Sequence, residues 1–257
     1  MKILPKAKIF KHNLIRYAVT EWKVMTMINH PFIIKLKFSF QTATNLYMVL
    51  HYCPGGDLSE YLNIEWSFTE WKAWLYLSEI LSAIEELHSK GILFRDLKPD
   101  NVVLDEEGHA VLTDFGLSKE NPEDQNAESF CGSYAYLAPE MIKWEGHGKS
   151  VDWYLLGVFL YEMLFGIPPY YDNDRDTLFQ NILSQDLHFP HSNISENCKD
   201  LLLKLLNKDP SNRLGTSRGA EEIKEHPWFE SIDWELVISW ELSPSPPYLT
   251  GTFNNNN

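Results

Sequence analysis

The sequence predicts an α+β fold with a small, strand-bearing N-terminal part and a larger, mainly helical C-terminal part. Residues 32–40 and 46–50 are apolar runs of strand length, and polar residues 42–45 form the turn between them. The run CPGG at residues 53–56 then breaks the pattern, and helical spacing of apolar residues dominates after it. A chain of 257 residues is long enough for two lobes that share a cleft.

The first predicted helix covers residues 11–28 and ends before a His-Pro pair, which cannot continue it. A second helix follows the S-x-x-E pattern of residues 67–70, which has the form of a capping box. Its apolar stripe includes Trp71 and Trp74 and predicts a buried helix that stops at Gly91.

Two short strands are predicted at residues 102–104 and 110–112. They would fix the polar motifs that flank them beside one another. The most apolar stretch, residues 153–165, is shorter than the roughly 20 residues that a membrane span needs. It therefore predicts a buried core helix over residues 150–166, and a further amphipathic helix is predicted at residues 198–206.

Net charge and cysteine content narrow the class of protein. The net charge of -14 disfavours nonspecific binding to nucleic acid or to anionic membranes and leaves basic partners open. Cys53, Cys131 and Cys198 have no paired spacing, so neither a disulfide framework nor a zinc site is predicted. Reduced thiols favour a cytoplasmic location, with the nucleus as the alternative. The charged start of the chain lacks the apolar run of a signal peptide.

Three short motifs in one order carry the chemistry of this chain. Residues 94–101 read FRDLKPDN, residues 114–116 read DFG, and residues 138–140 read APE. This order and spacing is typical of phosphoryl transfer from ATP, and it is a far stronger signal than any one motif. Singly, each aspartate of these motifs would be interpreted as an ordinary loop carboxylate.

Each residue type in these motifs suits one part of that reaction. The Asp96 carboxylate is placed to accept the proton of a substrate hydroxyl, so its position matters more than its basicity. Lys98 offers a positive charge to the transferred phosphoryl group. Asn101 and Asp114 offer the hard oxygen ligands that Mg²⁺ prefers.

These motifs are similar to those of serine/threonine protein kinases of the AGC family, near the protein kinase B and glucocorticoid-induced kinase branch. The resemblance covers essentially the whole chain, including the segments FCG at 130–132, YLAPE at 136–140, VDW at 151–153, KDP at 208–210, RLG at 213–215, HPWF at 226–229 and PPY at 246–248. It implies a bilobal, protein-kinase-like α+β fold with an incomplete N-terminal β-lobe and a mainly helical C-lobe.

The resemblance also implies where the domains divide. Residues 1–53 correspond to a partial N-lobe without its glycine-rich loop, and residues 54–229 to the C-lobe. Residues 230–257 correspond to part of a C-terminal tail. The Pro-rich end of this tail, from Ser243, is expected to be extended or disordered.

The resemblance implies that the cofactors are ATP and Mg²⁺. It also implies that Lys2 holds the α- and β-phosphates and that Glu21 pairs with Lys2. Leu50 is the gatekeeper behind adenine. The remaining positions that the resemblance assigns to the hinge, the floor of the adenine pocket and the ribose are His51, Tyr52, Cys53, Val103, Thr113 and Asp57.

The resemblance further implies regulation by an upstream kinase. Ser129 falls at the phosphorylation site of the activation segment, and Arg95 and Lys119 would bind its phosphate. The Asp-Leu-Lys-Pro run around Lys98 resembles serine/threonine kinases rather than tyrosine kinases, and Ser133 would bridge toward Asp96 and Lys98.

Three acidic positions, Asp57, Asp100 and Glu162, match those that receive arginines upstream of the phosphorylated residue in related kinases. Carboxylates pair well with guanidinium, so protein substrates with basic residues upstream of the target are expected. Glu140 and Arg213 would form a buried structural pair. The protein is expected to act as a monomer, with no nucleic-acid partner and no membrane span.

Four features depart from the family pattern, and the smallest is Phe94, where family members have Tyr or His. No G-x-G-x-x-G precedes Lys2, so we expect either a fragment of a longer kinase or a degenerate kinase, and the intact catalytic residues favour the fragment. Tyr134 and Ala135 replace the usual Pro-Glu, and the C-terminal hydrophobic motif of the family is missing. The alternative function is a catalytically impaired or pseudokinase scaffold that binds proteins. A lipid or small-molecule kinase is disfavoured by the block at residues 129–140, which forms a peptide-docking platform in protein kinases.

Overall fold

The computed structural model describes residues 1–120, 133–190 and 193–242 and contains two lobes. The small lobe is a three-stranded antiparallel sheet with the strand order β1-β3-β2 and two helices. In chain order its elements are β1 (Lys2–Pro5), α1 (Lys6–Lys11), α2 (Ile15–Met27), β2 (Leu36–Gln41) and β3 (Asn45–Leu50). The register places Lys2, the first residue of β1, opposite Met48 of the central strand β3.

The helix predicted over residues 11–28 begins only at Ile15, so this prediction was wrong in its N-terminal part, where Lys11 ends the separate short helix α1. Asn13 lies between the two helices with a left-handed φ of 54°, a conformation that asparagine tolerates better than most residues. The Leu14 amide donates to the Ile9 carbonyl at 2.9 Å and closes the end of α1. Because the chain turns here, α2 begins at Ile15 and presents Glu21 to β1.

The strand predicted over residues 32–40 begins later, at Leu36. Phe32 and Ile34 are buried, and their backbones pair instead with Leu112 of the large lobe. The Leu112 amide donates to the Phe32 carbonyl at 2.8 Å, and the Ile34 amide donates to the Leu112 carbonyl at 2.9 Å. These bonds tie the small lobe to the strand that leads into the DFG motif.

The large lobe is mainly helical, with short strands at its cleft side. Its strands are β4 (Gly56–Asp57), β5 (Ile92–Leu93), β6 (Val102–Leu104), β7 (Ala110–Leu112) and β8 (Lys119–Glu120), in the orders β4-β6-β7 and β5-β8. Its helices are α3 (Leu58–Glu65), α4 (Glu70–Ser89), α5 (Pro139–Ile142), α6 (Ser150–Phe165), α7 (Arg175–Ser184), α8 (Glu196–Leu205), α9 (Ala220–Lys224) and α10 (Trp234–Ile238). Short 3₁₀ turns cover residues 99–101, 134–136 and 227–229.

The predicted buried helix is confirmed as α6, which is enclosed on all sides and forms the centre of the large lobe. It ends at Gly166, whose φ of 77° is the left-handed conformation that favours glycine at a helix C-terminus. A Cβ on Gly157 would lie 2.9 Å from Leu205 Cβ, so glycine permits the close approach of α6 and α8. Among the described helices, none is long and apolar enough to cross a bilayer.

The capping box predicted at residues 67–70 is not formed. The N-cap of α4 is Thr69, whose hydroxyl accepts a hydrogen bond from the Lys72 amide at 3.3 Å. Glu70 is instead the first helical residue, and its carboxylate binds a distant part of the chain. The apolar stripe of α4 is buried along most of the helix. Trp71, however, is 59% exposed and is therefore not a core residue.

Charge is distributed unevenly between the lobes. Residues 1–53 contain eight lysines and arginines and one glutamate, a net charge of +7. The remaining residues contain 14 basic and 35 acidic side chains, a net charge of -21. The whole-chain value of -14 therefore hides a positive small lobe.

Candidate active site

The catalytic loop is held by a carboxylate from the central helix α6. Phe94 and Arg95 donate their backbone amides to Asp152 at 2.9 and 2.7 Å. His88, near the end of α4, also binds Asp152, with Nε2 2.6 Å from Oδ2. Arg95 has a left-handed φ of 67°, and the fully buried Asp152 stabilises this backbone through both amides. The loop is thereby fixed in the conformation that aims Asp96 into the cleft.

Asp96, Lys98 and Asn101, which the sequence places in one motif, interact with one another. Asn101 Nδ2 donates to the Asp96 carboxylate at 2.8 Å and to its carbonyl at 2.7 Å. Lys98 Nζ lies 3.5 Å from the same carboxylate oxygen. Burial raises the pKa of Asp96, while the charge of Lys98 and the bond from Asn101 oppose the shift. Because Asn101 donates through nitrogen, its amide oxygen is left for a cation.

Asp114 enters the cleft from the end of β7. The Thr113 amide donates to the Asn101 carbonyl at 2.9 Å, which joins the DFG segment to the catalytic loop. Asp114 has a left-handed φ of 62°, and about half of its side chain is exposed. Phe115 is buried and packs edge-on against Phe94, with ring centroids 5.5 Å apart. The exposed carboxylate and the neighbouring Asn101 oxygen are a donor set that suits Mg²⁺.

Lys2 connects the small lobe to this group. Its Nζ lies 2.5 Å from Glu21 Oε1 and 3.7 Å from Asp114 Oδ1. Burial raises the pKa of Glu21, and the neighbouring Lys2 ammonium opposes that rise. A cavity of about 290 Å³ is lined by Lys2, Glu21, Asp96 and Asp114 together. The structure therefore brings four predicted residues from both lobes to one cleft.

The residues predicted for the adenine pocket lie between the lobes. Leu50, Cys53 and Val103 are half-buried and pack against the core, and Thr113 is half-buried beside Asp114. Burial raises the pKa of the Cys53 thiol to about 11. The two remaining hinge positions, His51 and Tyr52, are more exposed. The His51 amide donates to the Lys35 carbonyl at 2.8 Å, and Tyr52 is 77% exposed.

Asp57, the predicted ribose and substrate residue, caps helix α3. Its carboxylate accepts hydrogen bonds from the Ser59 hydroxyl and, at 3.1 Å, from the Glu60 amide. Val103 is its partner across the β4–β6 ladder. This places Asp57 beside the predicted floor of the adenine pocket, and β4 also packs against the 3₁₀ turn that carries Asp100.

The other two predicted substrate carboxylates lie near each other. The Tyr136 hydroxyl donates a hydrogen bond to Glu162. Burial raises the pKa of Glu162 to about 7, the bond from Tyr136 opposes the rise, and the negative charge of Asp100 adds to it. Asp100 is exposed. The pair therefore forms a negative patch next to the catalytic loop.

Ser129, the predicted phosphorylation site, lies outside the described residues. Arg95 and Lys119 are close in the fold, because β8 pairs Lys119 with Leu93, two residues before Arg95. The Arg95 guanidinium donates to the Leu117 carbonyl at 2.6 Å, and one of its nitrogens lies 3.5 Å from His147 Nε2. Burial, followed by the Arg95 charge, lowers the pKa of His147.

The predicted bridge from Ser133 is not formed. Ser133 is exposed, and within the described part of the chain its hydroxyl makes no hydrogen bond to Asp96 or Lys98. Its carbonyl accepts the Tyr136 amide at 3.0 Å and so begins the 3₁₀ turn at residues 134–136. This turn holds the serine at its start, with its side chain toward solvent.

A buried ion pair braces the large lobe. The Glu140–Arg213 pair is confirmed, with Arg213 donating to both carboxylate oxygens at 2.6 and 2.9 Å. Sequence reasoning missed Tyr136 and His147. Neither could be found from local pattern, since each acquires its partner from a distant segment.

Comparison with known proteins agrees with this geometry. The sequence profile of the protein kinase domain matches residues 1–229. Protein kinase 2 of Dictyostelium discoideum is 45% identical over 242 residues, which is 94% of this chain and 50% of that protein. The RAC family serine/threonine-protein kinase homolog of the same organism is 43% identical over 247 residues, 95% of this chain and 54% of that protein.

The serine/threonine-protein kinase sgk-1 of Caenorhabditis elegans is 42% identical over 260 residues, which is 100% of this chain and 56% of that protein. The chain thus spans about half the length of each of these relatives. A profile match over most of the chain, together with relatives at this identity, establishes the relationship. The chain belongs to the protein kinase domain family, among its AGC-type serine/threonine kinases.

Proposed function

We propose that this protein is a protein kinase that transfers the γ-phosphoryl group of ATP to serine or threonine in proteins. The convergence of Lys2, Glu21, Asp96 and Asp114 on one cavity carries the proposal. Phosphoryl transfer needs little covalent chemistry from the protein, because positioning and charge stabilisation supply most of the catalysis. The four residues provide a cation, its orienting partner, a proton acceptor and a metal ligand.

Asp96 would orient the substrate hydroxyl and accept its proton. Its bond from Asn101 and its proximity to Lys98 fix the carboxylate, so its direction is set before substrate binds. Lys2, oriented by Glu21, would bind the nucleotide phosphates. Mg²⁺ held by the Asp114 carboxylate and the Asn101 amide oxygen would neutralise charge on those phosphates.

We further propose that the substrates carry arginine upstream of the target residue. The observation in favour is the negative patch of Glu162 and Asp100 beside the catalytic loop. A guanidinium is planar and presents several donors in a fixed geometry that suits carboxylates. Asp57, which also caps α3, is the third carboxylate of this proposal, since its strand β4 packs against the 3₁₀ turn that carries Asp100.

Regulation by an upstream kinase acting on Ser129 is also a proposal. Arg95 and Lys119 support it, because the β5–β8 pairing brings two cations to the base of the activation segment. A phosphate carries nearly two negative charges and orders such a segment through charge-assisted hydrogen bonds. We also propose that the protein is a cytoplasmic monomer; its three cysteines, which have no paired spacing, are in keeping with a reducing compartment.

The deciding experiment measures phosphate transfer from ATP, with Mg²⁺, to a serine peptide with arginines upstream. Asp96→Asn is the matched control, since it keeps the shape of the side chain and removes the proton acceptor. Transfer that is lost in Asp96→Asn supports the proposal. A folded protein that binds partners but transfers no phosphate would contradict it and would favour the scaffold function.

A further inference from the structure

A second cavity lies at the opposite end of α4 from the catalytic loop. It has a volume of about 350 Å³ and forms where the N-terminal ends of α4 and α8 meet the 3₁₀ turn at residues 227–229. Helix α4 has 20 residues and is therefore about 30 Å long at 1.5 Å per residue. The cavity is thus remote from the reacting groups, and the proposed function leaves it unexplained.

Three tryptophans, Trp71, Trp74 and Trp228, line this cavity. Trp74 Nε1 donates to the Trp228 carbonyl at 3.2 Å, and Trp228 Nε1 donates to Glu70 Oε1 at 2.7 Å. The indole N–H groups of Trp74 and Trp228 are therefore already bonded, and these two side chains offer ring faces rather than donors. Trp71 is 59% exposed at the rim. Indole faces are electron-rich and attract cations more strongly than the other aromatic side chains do.

The cavity also holds a carboxylate with no cationic partner. Glu70 accepts hydrogen bonds from the Ser195 amide at 2.7 Å and from the Ser195 hydroxyl at 2.5 Å, besides the bond from Trp228. Two of these three bonds go to Oε1, so Oε2 keeps a free acceptor position. Within the described ranges no lysine, arginine or histidine forms an ion pair with Glu70.

The nearest lysines along the two helices are engaged elsewhere. Lys72 binds both carboxylate oxygens of Glu65 at 2.7 and 2.9 Å, and Lys199 pairs with Glu196 at 2.5 Å. The half-buried Glu70 carboxylate lies at the N-terminal ends of α4 and α8, whose dipoles and donors stabilise its charge, but no cationic side chain of the described residues pairs with it. The net charge of -21 over residues 54–257 adds to the attraction for a cation.

We propose that this cavity binds an arginine side chain from a basic segment of a partner protein. The guanidinium would stack on the exposed face of Trp71 and donate to the free position on Glu70 Oε2. Arginine suits the cavity better than lysine, because its planar, weakly hydrated group stacks on rings and keeps donors in the ring plane. The site is independent of the substrate-binding carboxylates, since it lies at the far end of α4.

The test follows the indole N–H signals of the nine tryptophans by ¹H–¹⁵N NMR during titration with Nα-acetyl-arginine amide. The comparison ligand is Nα-acetyl-citrulline amide, which has the same planar shape without the charge. We expect a saturable shift of the Trp228 signal with the arginine ligand and at most a weak response to citrulline. Trp71→Ala should weaken arginine binding at least about fivefold.

Trp144→Ala is the matched control, because Trp144 is 58% exposed elsewhere on the large lobe. It should leave the affinity for the arginine ligand unchanged. Glu70→Gln tests the charge, and Trp71→Ala remains decisive if the glutamine variant folds poorly, since Trp71 is exposed and makes no core contact. An equal response to citrulline, or an unchanged affinity in Trp71→Ala, would overturn the proposal.

Discussion

Glu162 is the residue at which pH would control substrate selection. Its pKa of about 7 lies above the ordinary value of 4.5, so the carboxyl is mostly charged above pH 7 and mostly neutral below it. Only the charged form attracts arginine. We therefore expect the preference for arginine-bearing peptides over citrulline-bearing ones to be strong at about pH 8 and to fall by about tenfold toward pH 6.

The ratio of kcat/KM for the two peptides measures this preference. Glu162→Gln should flatten its pH dependence, because an amide does not titrate in this range. Tyr136→Phe would remove the hydrogen bond to Glu162; because that bond lowers the pKa, the transition should move upward. A preference that stays constant between these pH values would contradict the role assigned to Glu162.

Lys2 is the second residue whose role is open to a direct test. Replacing Lys2 by methionine removes the cation that lies between Glu21 and Asp114, and it keeps most of the side-chain volume. We expect phosphate transfer to fall about 100-fold, as is typical when one charge-stabilising donor is lost. Lys8→Met is the control, since Lys8 is an exposed residue on α1. Equal activities of the two variants would argue against the phosphate-binding role.

The end of α6 shows how one element depends on its neighbour. A Cβ on Gly166 would lie 2.2 Å from the Trp66 carbonyl oxygen, and the φ of 77° already disfavours any side chain. Gly166→Ala should therefore lower the free energy of unfolding by at least about 2 kcal/mol.

Chemical denaturation of the two single variants measures this effect. Gly148→Ala is the matched control, because a Cβ there meets nothing within 4 Å and its φ is not left-handed. We expect Gly148→Ala to leave the unfolding midpoint nearly unchanged. Similar losses in both variants would show that the Trp66 contact is not responsible.

The elements divide into those that local sequence predicts and those that it does not. Helix α6 and strands β3, β6 and β7 were predictable, because apolar runs of the right length end at turn residues. The break at Asn13 was not, because the pattern of apolar residues continues through it. The N-cap at Thr69 could not be predicted from the local pattern either. Glu70, which would complete the capping box, binds Ser195 instead, 125 residues away.

The candidate site divides in the same way. Asp96, Lys98, Asn101 and Asp114 belong to contiguous motifs, so their identity was visible before their geometry. The partnership of Tyr136 with Glu162 was not, because the two residues come from separate segments and only the folded lobe brings them together.

At the scale of the whole molecule, the Arg213–Glu140 pair braces the large lobe. Arg213 is fully buried, and it also donates to the Ser150 carbonyl at 2.8 Å, at the start of α6. Arg213→Ala would leave the Glu140 carboxylate buried without a partner, which costs about 3 kcal/mol or more. For a chain of this size that corresponds to a decrease in Tm of roughly 6–12 °C.

Thermal unfolding followed by circular dichroism measures this decrease. Arg218→Ala is the comparison, because Arg218 pairs with Glu225 on the exposed surface, where ion pairs contribute little. We expect its Tm to stay close to that of the unmodified protein. A small effect of Arg213→Ala would mean that other contacts hold α5 and the start of α6 together.

The opposite charges of the two lobes have a consequence for how substrates would arrive. The cleft lies between a small lobe with a net charge of +7 and the rest of the chain, which has a net charge of -21. An electric field therefore runs across the cleft. An anionic nucleotide approaching from solution would be drawn to the small-lobe wall, and a basic peptide to the large-lobe wall. The two substrates would then be sorted by the field before either touches a binding residue. Added salt would slow both encounters, because it screens this field beyond about 10 Å.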